Sequence, residues 1–328
     1  MMVMPWLVFA FLAALAGTWL ARRYALRNAL LDLPGERRSH AAPTPRGGGV
    51  AIVAAMLPML AWVAWREPAH APAIVAIGSG TLLVAGIGWI DDHRPLSPGL
   101  RLGVHVIAAA LLAWALLALG AGPGRAACGF VLALVLVNVW NFMDGIDGLA
   151  TSQALLAALG YALFASGGPV AWLALALVAA CAGFLPFNLP KASIFLGDVG
   201  SGALGYLLAA LAALVLARTD WERAPLLLLP LLAFGVDAGL TLVRRMLRGE
   251  RWWQPHVQHA YQRWARASGH GKVAVAYFTW SVAALALMLA GRTHSFAFIM
   301  SVVGISCLAA SAIWLRLQSR ESSAGGNA

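Results

Sequence analysis

Charge is what this chain of 328 residues lacks most: Asp, Glu, Lys and Arg together make up 11% of it. A soluble protein of this size carries roughly 25% charged residues, and 23 basic with 13 acidic side chains fall far short of that shell. Cysteine is scarce too. Cys128, Cys181 and Cys307 each lie inside an apolar run, and their spacing fits no metal site, which excludes a disulfide scaffold and a thiolate centre. Low-complexity sequence is confined to the last ten residues, which excludes a disordered chain. No internal repeat stands out, which weakens a transporter built from paired halves.

What the chain has instead is apolar sequence, 61% of the whole, with a mean hydropathy of +0.78. Runs of 18 or more apolar residues recur along the length, the mark of an all-α polytopic membrane protein. Eleven spans are expected, at about 4–21, 47–65, 71–90, 102–121, 126–143, 148–166, 169–187, 199–217, 224–243, 273–291 and 295–315. The first has no small-residue cleavage site after it and reads as an anchor. Residues 1–318 are expected to form one integral membrane domain, and 319–328 a disordered tail.

The loops after spans 1, 3, 5, 7 and 9, with the C-terminal tail, hold 18 of the 23 Lys and Arg residues. The positive-inside rule places that set in the cytoplasm, with the N-terminus outside and the C-terminus inside. The net charge of +10 therefore concerns orientation and anionic partners, among them membrane lipids, and not nucleic acid. The same loops, near 22–46, 91–101, 138–150, 187–201 and 244–272, carry every unusual polar motif.

The first reads Asp32-Leu-Pro-Gly-Glu-Arg-Arg-Ser-His40 and then Pro43-Thr-Pro-Arg46-Gly-Gly-Gly49. Pro34, Pro43 and Pro45 forbid a continuous helix, and the three glycines admit a ligand or a second backbone at close range. A basic loop held to anionic lipid heads is the plainer reading of the same residues. The second motif is Asp91-Asp92 at a membrane boundary, where paired carboxylates invite a metal, a cation or a raised pKa; a solvated helix end with His93 and Arg94 as counter-charges is the alternative.

In the third, Asn138, Asn141, Asp144 and Asp147 recur at every third position. Each step of three falls about 60° short of a full turn, so the four converge only if the helix breaks, and Gly145 and Gly148 are placed to break it. The alternative is a satisfied network between helices. The fourth is Asn188-Leu-Pro-Lys191 leading into Gly197-Asp198-Val-Gly-Ser201, where a helix N-terminus offers N–H groups to phosphate and Asp198 a hard oxygen to Mg²⁺. The fifth loop is rich in arginine and holds His256 and His259; with no Cys or acidic ligand beside them, zinc does not fit. It reads as a clamp for phosphates and a sugar or base, or as an amphipathic surface anchor. Asp237, inside span 9, is expected to be functional or paired with Arg244. Carboxylates, amide donors, glycine turns and arginines on one membrane face suit Mg²⁺-assisted transfer of a phosphorylated group to a lipid.

These motifs, in this order, resemble the polyprenyl-phosphate N-acetylhexosamine-1-phosphate transferases, glycosyltransferase family 4, which include phospho-N-acetylmuramoyl-pentapeptide transferase. The resemblance runs from Asp32 to about Gln262, and the ending His259-Ala-Tyr-Gln262 looks most like the branch that initiates O-antigen. It implies transfer of a sugar-1-phosphate from a UDP-N-acetylhexosamine to undecaprenyl phosphate, releasing UMP, at the bacterial inner membrane. It implies Mg²⁺ as cofactor, with Mn²⁺ as a substitute, and makes a homodimer a candidate assembly. By position, Asp198 and Asn141 match the metal–pyrophosphate site, and Asp91, with Asp92 beside it, the carboxylate that deprotonates the acceptor. Asn138, Asp144 and Asp147 match the nucleotide-sugar pocket, Arg46 lies in the first-loop motif as a substrate contact, and His256 and His259 match the donor-binding histidines. Two positions depart from the pattern: Val257 stands where this branch often has Arg, and Arg101 where a lysine is common. Two rival readings remain: a membrane prenyltransferase, which would need Asn-x-x-x-Asp or Asp-x-x-x-Asp spacing where this chain has Asn-x-x-Asp and Asp-x-x-Asp, and a transporter, which would need polar groups near the midplane and on both faces, where only Asp237 comes close.

Overall fold

Each apolar run winds into a helix because a bilayer interior leaves backbone N–H and C=O groups no partner but each other. The computed structural model describes residues 3–32, 43–251, 254 and 256–324; the part of the first loop at 33–42, with Pro34 and His40, and the last four residues lie outside them. The helices are α1 (Met4–Arg27), α2 (Val50–Arg66), α3 (Ala71–His93), α4 (Pro98–Ala118), α5 (Pro123–Phe142), α6 (Leu149–Ala165), α7 (Gly168–Asn188), α8 (Gly197–Leu216), α9 (Leu232–Leu247), α10 (Ala260–Ser268), α11 (His270–Ala290) and α12 (Phe296–Ala324). A 3₁₀ stretch, Ala224–Leu231, leads into α9.

Every expected span coincides with an apolar helix. Among the described residues nine helical stretches are long and apolar enough to cross a membrane. α2 and α6 are apolar but shorter, at 17 residues each, or about 25 Å at 1.5 Å per residue. The chain is a multi-pass membrane protein. α12 is longer than expected and runs through Ala324, because nothing from Ser319 to Ala324 breaks a helix before Gly325.

The helices pack around α8, whose residues from Val199 to Leu216 are all buried. α3, α5 and α6 surround it, with α2, α4 and α7 completing the ring. Backbone approach sets this packing. A Cβ on Gly49 would lie 2.1 Å from the Cα of Gly200, so neither position admits a side chain, the usual way membrane helices come close. The three glycines before α2 thus receive a second backbone, as their sequence allowed. Gly48 N–H donates to Phe195 C=O at 2.9 Å, Gly49 N–H to Leu196 C=O at 2.8 Å, and Phe195 N–H to Pro45 C=O at 2.8 Å. Among the described residues this loop forms no helix before α2 and instead a short antiparallel pair, β1 (Leu31–Asp32) and β2 (Thr44–Pro45), with Asp32 opposite Thr44.

Candidate active site

Four helix ends and two loops meet at one end of the bundle around a cleft of about 260 Å³. α5 stops at Phe142 and α6 starts at Leu149, after Gly148 in the left-handed region at φ 71°. The break at the two glycines is as the spacing required. It turns Asn141, Asp144 and Asp147 into the cleft, while the Trp140 indole N–H donates across the gap to Ala150 C=O at 3.1 Å. Asn138 lies one turn earlier, donates to Leu134 C=O at 2.7 Å, and is not among the lining residues.

Asp198 opens α8 and lines the cleft. Asn141 Nδ2 donates to its Oδ1 at 2.8 Å and to Ser201 Oγ at 3.1 Å, so the amide of one helix fixes the carboxylate of another. Arg101 Nη1 stands 3.6 Å from Asp198 Oδ2 and 2.9 Å from Asp91 Oδ2, bridging the two. α3 comes this close because Gly88 carries no side chain: a Cβ there would lie 2.4 Å from Asp198 C=O.

Asp91 and Asp92 part company. Asp91 accepts from Leu96 N–H at 2.6 Å and from Arg101, and it stands outside the cleft lining. Asp92 is 2% exposed and accepts the N–H groups of Asp198 and Val199, both at 3.1 Å. The N-terminus of α8 is therefore capped from α3, which corrects the expectation of N–H groups left free there for phosphate. Arg46 covers the other side of Asp92: its Nε lies 3.9 Å from Oδ1 and its guanidinium donates to the Asp92 main-chain oxygen.

Asp147 accepts from Ala192 N–H at 3.2 Å, and its Oδ1 lies 3.4 Å from His270 Nδ1. Burial, with the carboxylates of Asp198 and Asp92 nearby, holds Asp144 well above the usual carboxylate range. The fifth loop delivers Val257, Gln262, Arg266 and His270 to the cleft. His256 and His259 do not line it: His259 is 3% exposed, with Nδ1 3.6 Å from Asp237 Oδ1. Burial pushes His256 down to about 4, with His259 and Arg245 adding to the effect. Asp237 is not paired with Arg244, whose Nη1 donates to Gln318 Oε1 at 2.5 Å. Asp32, Asn188 and Phe195 also line the cleft. Gln262 was marked in the sequence only as the end of the His259-Ala-Tyr-Gln262 motif, and the further signal for it and Arg266 was an i, i+4 polar pair on a short amphipathic helix; His270 carried none.

The donor set is oxygen-rich: Asp198, Asp144, Asp92 and Asn141, with no cysteine. Among the described residues no three His, Cys, Asp or Glu side chains are grouped to cage an ion by themselves. Mg²⁺ does not need a cage, since it binds through one or two carboxylates plus substrate phosphates and keeps several waters. The residues present fit that ion and not zinc.

Fold and site together define an integral membrane protein with a carboxylate and guanidinium cleft at one end of its helix bundle. Residues 74–216 match glycosyl transferase family 4. The chain is 30% identical to a decaprenyl-phosphate N-acetylglucosaminephosphotransferase of Mycobacterium tuberculosis over 79% of its own length and 75% of the relative's. It is 34% identical to a phospho-N-acetylmuramoyl-pentapeptide-transferase of Synechococcus elongatus over 64% of each. The chain belongs to glycosyl transferase family 4.

Proposed function

We propose that this protein transfers an N-acetylhexosamine-1-phosphate from a UDP-sugar to undecaprenyl phosphate, releasing UMP and opening an envelope polysaccharide such as O-antigen. The observation that carries the reading is Asp198 held by Asn141 on the wall of a cleft that also holds Asp144, Asp147, Arg46 and Arg266. Hard oxygens beside guanidinium groups suit a diphosphate bound through a metal. The relatives, named as transferases of sugar phosphates to polyprenyl phosphate or of phospho-N-acetylmuramoyl-pentapeptide, support the same chemistry. The O-antigen role rests on the resemblance of His259-Ala-Tyr-Gln262 alone.

In this mechanism an oxygen of the lipid phosphate attacks the β-phosphorus of the donor, the bond to the bridging oxygen breaks, and UMP leaves with that oxygen. Bound Mg²⁺, held by Asp198 with Asn141 beside it, would neutralise charge on the diphosphate. Arg46 and Arg266 orient the diphosphate through paired N–H donors. Asp91, at the end of α3, receives the acceptor's proton when the lipid phosphate arrives as a monoanion. The basic loops support a cytoplasmic position for this end, where nucleotide sugars are found.

Purified protein supplied with undecaprenyl phosphate, Mg²⁺ and each of a panel of UDP-N-acetylhexosamines is expected to release UMP with at least one of them. Release of diphosphate from a prenyl donor instead, or no turnover with any UDP-sugar, would overturn the proposal.

A further inference from the structure

Asp237 lies inside α9 and takes no part in lining the cleft, yet its carboxylate accepts four hydrogen bonds. It is 3% exposed. Its Oδ1 accepts from Ala260 N–H at 2.9 Å and Thr241 Oγ1 at 3.3 Å, and its Oδ2 from Tyr261 N–H at 2.9 Å and Tyr277 OH at 3.0 Å. A carboxylate at this depth is costly unless hydrogen bonds compensate it, and here both oxygens are doubly engaged.

Two of those donors are the opening amides of α10. A helix start leaves four N–H groups without intrahelical partners, and His259, at the capping position, supplies no side-chain bond of its own. The cap comes from α9. α10 then presents Gln262 and Arg266, one turn apart, to the cleft. Tyr261, between the cap and Gln262, donates its OH to Phe142 C=O at 2.9 Å, next to the Asn141 that holds Asp198. One buried side chain is thus tied by a single short helix to both the fifth-loop wall of the cleft and the broken end of α5.

We infer that Asp237 is a positioning residue for donor binding: it seats α10 so that Gln262 and Arg266 meet the nucleoside diphosphate sugar, without touching the substrate itself. This rests on the transfer reaction proposed above.

The test is the full-length Asp237→Asn variant in lipid nanodiscs. The amide replaces one accepting oxygen with an NH₂ group, which would face one of the two opening N–H groups of α10 donor to donor. Removing one partner of a buried hydrogen bond is expected to raise the donor KM about tenfold, with the KM for undecaprenyl phosphate unchanged. Combining Asp237→Asn with Gln262→Ala should raise the donor KM by less than the product of the single effects, because both act through the same helix. Without any substrate, hydrogen–deuterium exchange should speed up across 260–268 and stay unchanged across 198–216. That measurement stands even if no UDP-sugar turns over, so failure of the reaction and failure of the positioning role are told apart. If Asp237→Asn does not accumulate, Tyr277→Phe, which removes one donor and keeps both amide bonds, should give a smaller acceleration over the same residues. Unchanged exchange at α10, or equal rises in both KM values, overturns the inference.

Discussion

The carboxylate of Asp92 sits on the backbone of Asp198, accepting its N–H at 3.1 Å while the second oxygen takes that of Val199. Successive residues on a helix point about 100° apart, so Asp91 turns away to Arg101 and Leu96. The adjacent pair is two devices: one residue places the start of α8, and the other faces a cation outside the cleft.

Replacing Asp92 by Ala is expected to lower turnover at least tenfold and stability by about 1–2 kcal/mol, the usual cost of a lost helix cap. Asp92→Asn, which keeps one acceptor, should retain part of both. Steady-state rates and thermal midpoints check this; an Ala variant with native rate and midpoint would refute the capping role.

Asp198→Asn should abolish turnover in a protein that still folds, because the anionic oxygen for Mg²⁺ is gone. Chelation should stop the wild-type enzyme, and added Mg²⁺ should restore it. Substantial Mg²⁺-dependent activity in the variant would contradict the assignment.

Asp91→Asn is expected to lower kcat and leave the donor KM nearly unchanged, since Asp91 lies away from the donor cleft. If Asp91 is a true base, the acidic limb of the pH–rate profile should vanish in the variant. A tenfold rise in donor KM at unchanged kcat would reverse the roles of Asp91 and the fifth loop.

His256 yields a pH prediction. Held near 4 in the folded loop, it binds fewer protons than it does at its unfolded pKa of about 6.5. The unfolded loop therefore gains protons first as pH drops, and the loop's stability is complete above about pH 6.5 and lost as pH falls toward 4. Proteolysis between residues 248 and 259 should accelerate over that window, and His256→Gln should remove this component. An NMR titration of His256 with a midpoint near 6.5 in the native protein would contradict it.

The spans were legible because each is an uninterrupted apolar run, and the polar clusters because Asp91, Asn141, Asp144 and Asp198 stand out against such sequence. The break after Phe142 could be read from Gly145 and Gly148. Which carboxylate would be consumed by backbone could not: Asp91 and Asp92 are identical as letters, and only the distance from α3 to α8 separates them. The placement of His259 was hidden for the same reason. Its motif places it near the donor, but the capping of α10 by Asp237 turns it inward and leaves the cleft to Gln262, Arg266 and His270.

No face of α8 beyond Asp198 is exposed to lipid, whereas the helices formed by His270–Thr293 and Phe296–Ser319 are mostly uncovered. Asp198 therefore sits at the head of a post insulated from the surrounding acyl chains. Changes in bilayer thickness or lateral pressure act first on the outer helices and reach Asp198 only through the helices packed around α8. The cleft is anchored to the protein's own interior, so its geometry can hold in membranes of differing composition without following the lipid.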